Sequence, residues 1–167
     1  MLTRVEYPSA AVPGPPSLSL DITEGWSQVV VAGSLLAVRR HGTSSESQPN
    51  IVVTYIEREP SFTPQDLVGE IGEALSRQTE GVSKPAYEAV LGGHKFVIMD
   101  TAYREPDVGT IVQRHLLTGS ARVGHVAIVH ITGTCGGVDA DADMDEIGQL
   151  LETLELHLGS QQPSSIL

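Results

Sequence analysis

Hydrophobic and polar positions along this chain change period twice, and the changes mark its elements. Short strand-like runs come first, at Ser17–Ile22, Val29–Val31 and Leu35–Arg40. Gly25 permits a turn ahead of Trp26, which is placed to lid the core. After a polar stretch over His41–Gln48, Asn50–Arg58 reads Asn-Ile-Val-Val-Thr-Tyr-Ile-Glu-Arg, and its β-branched residues predict a strand. The period then lengthens. Thr63-Pro64-Gln65-Asp66 has a capping hydroxyl, a proline at the first helical position and an acid at the third. Leu67, Ile71 and Leu75 recur every four residues, flanked by Val68 and Ala74, so one helix face is apolar.

The two-residue period returns at Pro85–Leu91, His94–Tyr103, Thr110–Thr118 and His125–Thr134. Gly92-Gly93 predicts a tight hairpin, whereas 104–109 and 119–124 read as longer loops. In the last strand both alternating sets are apolar, with Val126 and Ile128 on one side and Ala127, Val129 and Ile131 on the other. A strand covered on both faces has that pattern, which places it centrally. A final helix starts near Asp141–Asp143, with a stripe of Ile147, Leu150, Leu151, Leu154 and Leu158. The order is β-β-β-α-β-β-β-β-α. Two amphipathic helices need a surface to cover, so the expected class is α+β: a mainly antiparallel six- to seven-stranded sheet with helices packed on its faces. No repeat or linker divides the pattern. Residues 17–158 are expected to form one domain, between a flexible Pro-rich leader at 1–16 and a flexible tail at 159–167.

Composition narrows the function classes. The chain has 167 residues, and 40% hydrophobic content excludes wholesale disorder. Ten basic against twenty-one acidic residues give 10 − 21 = −11, which repels phosphate backbones. Arg39-Arg40 is too short for a basic patch, so no nucleic-acid partner is expected. No apolar run is long enough to span a bilayer, and no signal-peptide core is evident. A lone cysteine, Cys135, fits a reducing compartment. The expected location is cytoplasmic; export, with the signal already removed, is the alternative.

Candidate chemistry is sparse. Acids at 139, 141 and 143 mimic the first ligand positions of a calcium loop. That loop needs Gly at its sixth position and Glu at its twelfth, where this chain has Met144 and Leu150. The run is therefore read as helix-start acids that cap and offset the dipole. Cys135 follows the central strand and precedes two glycines; activated by His115 or His130, it could serve a small hydrolase. Its alternative role is that of a small buried hydrophobe. The six histidines lack metal-ligand spacing, and His125 and His130, five apart on one strand, face opposite ways. Asp100 shares a face with Phe96 and Ile98, and Arg114 on the next strand is its expected ion-pair mate. No dinucleotide fingerprint, P-loop or Gly-x-Ser-x-Gly elbow occurs. No catalytic, cofactor-binding or metal-binding residue is assigned, and no cofactor is expected.

Several segments together resemble a known family. Glu24-Gly25-Trp26 resembles the Pro-x-Gly-Trp opening of PsbP-like domains, with Thr23 where proline is common. Pro49-Asn-Ile-Val-Val-Thr-Tyr55 is similar to its second landmark. Leu91-Gly-Gly-His94, Asp100-Thr-Ala-Tyr103, Gln113-Arg-His-Leu-Leu117 and the helix Met144–Leu154 complete the order. Within that superfamily the pattern resembles the actinobacterial LpqN-type branch, related in fold to the Eag-type secretion chaperones. The resemblance covers about residues 17–157. It implies a sheet with helices on both faces and no shared catalytic residues. Members act through protein contacts in photosystem assembly, Ran binding, effector chaperoning or the cell envelope, and LpqN-type members are usually lipoproteins. The expected function is thus a non-catalytic protein-interaction or chaperone/adaptor domain linked to secretion or envelope processes. A small-molecule or lipid carrier is the alternative, and a homodimer is a further expectation to test.

Overall fold

The structure is a computed structural model that describes residues 13–42 and 48–159. Most of the expected leader, part of the polar loop and nearly all of the expected tail lie outside those residues. The described chain runs β1 (Ser17–Ser19), β2 (Trp26–Gln28), β3 (Ser34–Arg40), β4 (Asn50–Arg58) and α1 (Pro64–Leu75). It continues through β5 (Val82–Ser83), β6 (Tyr87–Leu91), β7 (His94–Glu105), β8 (Gly109–Arg122) and β9 (His125–Gly136). It closes with α2 (Ala140–Glu152) and β10 (Glu155–His157). The class is α+β, as the patterning indicates.

The main sheet is antiparallel, in the order β2-β3-β4-β9-β8-β7-β5, with β6 also pairing β7. Short strands β2 and β5 bring it to eight strands, while β1 and β10 form a separate two-stranded sheet. The doubly apolar strand β9 lies centrally, between β4 and β8. One face packs Phe96, Ile98, Leu116, Val129 and Ile131 against Ile147, Leu150 and Leu151 of α2. The other packs Val97, Leu117, Val126 and Ile128 against Leu67 of α1. Alternation in β7, β8 and β9 thus feeds two cores, one per face.

Helix α1 starts as its sequence dictates. Thr63 Oγ1 accepts from Asp66 N at 3.2 Å, and Asp66 Oδ2 accepts from Thr63 N at 2.8 Å, closing a reciprocal cap. Helix α2 meets the sheet closely because β9 carries Gly133, where a Cβ would lie 2.5 Å from Ile147 Cγ2. Gly92 and Gly93, at φ 55° and 79°, supply the two positive dihedrals of a tight hairpin.

Several boundaries differ from the patterning. Val29–Val31 is not a strand: pairing starts at Trp26, and Val30 is fully exposed ahead of the Ala32-Gly33 turn. The stretch 119–122, read as loop, extends β8, leaving a two-residue turn at Val123-Gly124. Gly119 fits there because its bare Cα lies under Ile128 and Pro64 side chains. The final stripe is not one helix. Thr153 Oγ1 donates to Leu150 O at 2.7 Å and accepts from Asp21 N at 3.0 Å, so the chain leaves the helix and pairs with β1. Leu154 stays buried beyond the helix end.

Candidate functional site

Register between β7 and β8 places Asp100 opposite Arg114. Arg114 Nε donates to Asp100 Oδ1 at 2.7 Å and its second terminal nitrogen to Oδ2 at 3.0 Å. This bidentate fork is the ion pair that alternation predicts. The Asp100 hydrogen bonds raise the Arg114 pKa further, overcoming partial burial.

The pair forms the floor of a cavity of about 350 Å³. Asp141, Met144 and Asp145 of α2 form one wall, since positions i, i+3 and i+4 share a helix face. Val82, Ser83 and Lys84 at the sheet edge form the other. Lys84 N donates to Asp100 O at 3.0 Å, which ties that wall to β7. Thr101, Ala102 and Val112 complete the lining. The site combines paired charge on its floor, exposed charge on its rims and an apolar thioether. Such a mix suits recognition of a polar group carried on an apolar stem. Patterning found Asp100 and Arg114 but missed Lys84 and Met144, because no spacing links residues of an edge strand to those of a helix.

Cys135 does not join a catalytic set. It is fully buried on the α2 face, and its thiol donates to Ala140 O at 3.3 Å. Burial, with Asp143 nearby, pushes its pKa up to about 11, so the thiol stays protonated at neutral pH. His115 and His130, its expected neighbours, lie on the opposite face of the sheet. They are hydrogen-bonded to each other, Nδ1 to Nε2, at 3.0 Å. Thr101 Oγ1 lies 3.1 Å from His115 Nε2, and Thr132 Oγ1 lies 3.1 Å from His130 Nε2. Burial pushes both imidazoles down to about 4, so both rings are neutral at pH 7. His115 also lines a second cavity, about 200 Å³, with Ile71, Leu75, Gln78, Tyr103 and Gln113.

The acidic run does less capping than its sequence suggests. Asp139 is the N-cap residue of α2, yet its side chain makes no capping hydrogen bond. Asp143 and Glu146 instead grip Arg40 of β3, at 2.6 and 2.7 Å. Trp26 Nε1 donates to Glu146 Oε1 at 3.0 Å, so the lid residue is latched as well as buried. Burial raises the Glu146 pKa, but the Trp26 and Arg40 hydrogen bonds outweigh it and hold the carboxyl below its usual range.

No protein-family model matches the chain, and no curated protein is recognisably similar to it in sequence. Solved structures do match in shape. A structure from Bacteroides thetaiotaomicron aligns at TM-score 0.45 and 15% identity, over 85% of this chain and 48% of that one. The crystal structure of LpqN, involved in cell envelope biogenesis of Mycobacterium tuberculosis, aligns at TM-score 0.68 and 15% identity. That alignment covers 93% of this chain and 90% of LpqN. Across nearly its whole length, therefore, this chain has an LpqN-like fold.

Proposed function

We propose that this chain is a non-catalytic protein-binding domain of the LpqN-type, PsbP-like kind, serving cell-envelope or secretion processes. On this reading the partner meets it at the cavity between α2 and β5, β7 and β8. One observation carries the proposal. Cys135, the Asp100–Arg114 pair and the His115–His130 pair are committed to internal bonds, while the cavity of about 350 Å³ stays open, with a mixed polar and apolar lining. The LpqN-like fold supports the envelope assignment, since LpqN itself is involved in cell envelope biogenesis. Export is the location this implies, the alternative that the sequence left beside a cytoplasmic one. No described helix is long and apolar enough to cross a membrane.

The test compares two baits in affinity capture from envelope and cytosolic extracts: the wild-type domain and Ala102→Trp, which fills the cavity. An envelope protein enriched by the first and reduced at least about fivefold by the second, a difference near 1 kcal/mol, supports the proposal. No protein above background, together with a robust hydrolase activity, overturns it. The cavity volume also favours a second reading, a carrier of a small polar molecule. Native mass spectrometry of the purified chain tests it: a co-purified small ligand supports this reading, and an unliganded mass opposes it.

A further inference from the structure

The hairpin that joins β6 to β7 decides which way β6 turns its backbone. The Gly92-Gly93 turn closes on Leu91 and His94, which stand opposite each other. In a two-residue hairpin the closing residues exchange hydrogen bonds, and bonding then alternates along the strand. Leu91, Ala89 and Tyr87 therefore point their N–H and C=O groups at β7. Glu88 and Val90 point theirs outward. Among the described residues no strand lies beyond β6. Large apolar side chains crowd this same edge: Val90 is 70% exposed, Val82 62% and Tyr87 49%. An unpaired edge with apolar flanks is a template for another strand.

The edge is complementary to itself. We infer that β6 pairs antiparallel with β6 of a second copy of this chain, about a two-fold axis through Ala89. In that register Glu88 lies opposite the partner's Val90, and Val90 opposite the partner's Glu88. Both members of each pair have outward backbone groups, so two pairs make four hydrogen bonds. On the α2 side Tyr87 falls opposite the partner's Leu91, an aromatic–aliphatic match. On the other side charge fits as well. Lys95 pairs with its own Glu88 at 2.7 Å and stands beside Val90 in the register. The partner's Glu88 enters on the far side of Val90, about 10 Å from Lys95 between Cα atoms, within reach of the two long side chains. Each lysine then sits between two carboxylates, and no charge faces its own copy. The register is bounded too. The partner's glycine turn arrives opposite Pro85 and Ala86, where Pro85 has no N–H to offer.

Five residues a side make a small interface of the transient class, below about 1,200 Å² in total. The association is weak and depends on concentration. It stands apart from the proposed cavity function and is tested separately. Sedimentation velocity is run on the full chain at about 1 and about 300 μM, which brackets weak association. The wild type is expected as monomer at the lower concentration. At the higher one its weight-average mass is expected to rise at least about 1.5-fold. Val90→Glu sets a carboxylate against the partner's Glu88 and is expected to stay monomeric, with an unchanged melting temperature showing that it folds. Glu88→Lys supplies the complementary charge, so an equimolar mixture of the two variants is expected to regain association. A wild type that stays monomeric at the higher concentration overturns the inference. So does a Val90→Glu chain that dimerises like wild type, which places the contact elsewhere, or a mixture that stays monomeric. A wild type that instead retains a foreign peptide and does not self-associate also overturns it.

Discussion

His115 and His130 share one hydrogen bond on the α1 side of the sheet, and the burial of both rings makes the fold sensitive to acid. In the unfolded chain each ring takes up a proton near pH 6.5; in the fold burial delays this to about pH 4. The unfolded state therefore binds more protons between these values. Stability from the neutral pair is fully present above about pH 6.5 and is lost as pH falls toward 4. For His115 alone the loss approaches about 3 kcal/mol by pH 4. Urea unfolding between pH 7 and 5 is expected to show the decline, and His130→Gln is expected to flatten it; a flat wild-type profile would contradict the burial. Cys135 gives a second prediction at this scale. The native thiol is expected to react with Ellman's reagent at least about 100-fold more slowly than the denatured thiol, because it is sealed and protonated. The Asp100–Arg114 pair was legible in sequence because a hairpin and strict alternation set its register. The histidine pair was not. Its register depends on the Val123-Gly124 turn, hidden in a stretch that reads as a longer loop.

Elements meet in this protein through a few specific residues. Arg40 links β3 to α2 by binding Asp143 and Glu146, and Glu146 lies 106 positions away in the chain. Asp143 is nearly fully buried, so removing its cation strands a carboxylate. Arg40→Ala is expected to destabilise the fold by about 3 kcal/mol in chemical denaturation. Adding Asp143→Asn is expected to recover part of that loss, which distinguishes a buried charge from lost packing. Gly133→Ala tests the seat of α2. Its Cβ would meet Ile147, which is fully buried and β-branched, and about 1–3 kcal/mol of overpacking is expected. Helix α1 and the long strands were legible because each carries its own period and, for α1, its own cap. Strands β2, β5 and β10 have two or three residues, too few for a period to register. Arg40 was read as half of a basic dipeptide, and only tertiary contact gives it a role.

At the scale of the molecule, two helices cover opposite faces of one antiparallel sheet, and the charge of −11 gathers partly where α2 begins. Some of that charge is internal, in the grip on Arg40, and some lines the cavity as Asp141 and Asp145. The fold class was legible because strand and helix periods alternate clearly and β9 declares its central place. The cavity was not, because its walls come from an edge strand, two central strands and a helix start. On the function proposed above, a protein partner binds in this cavity. The most direct measurement is an amide NMR titration of the isotopically labelled chain with the partner recovered by capture. The perturbed amides are expected to cluster at Val82–Lys84, Asp100–Ala102, Val112–Arg114 and Asp141–Asp145. Perturbations confined to the α1 face, around Ile71, Tyr103 and His115, would contradict it.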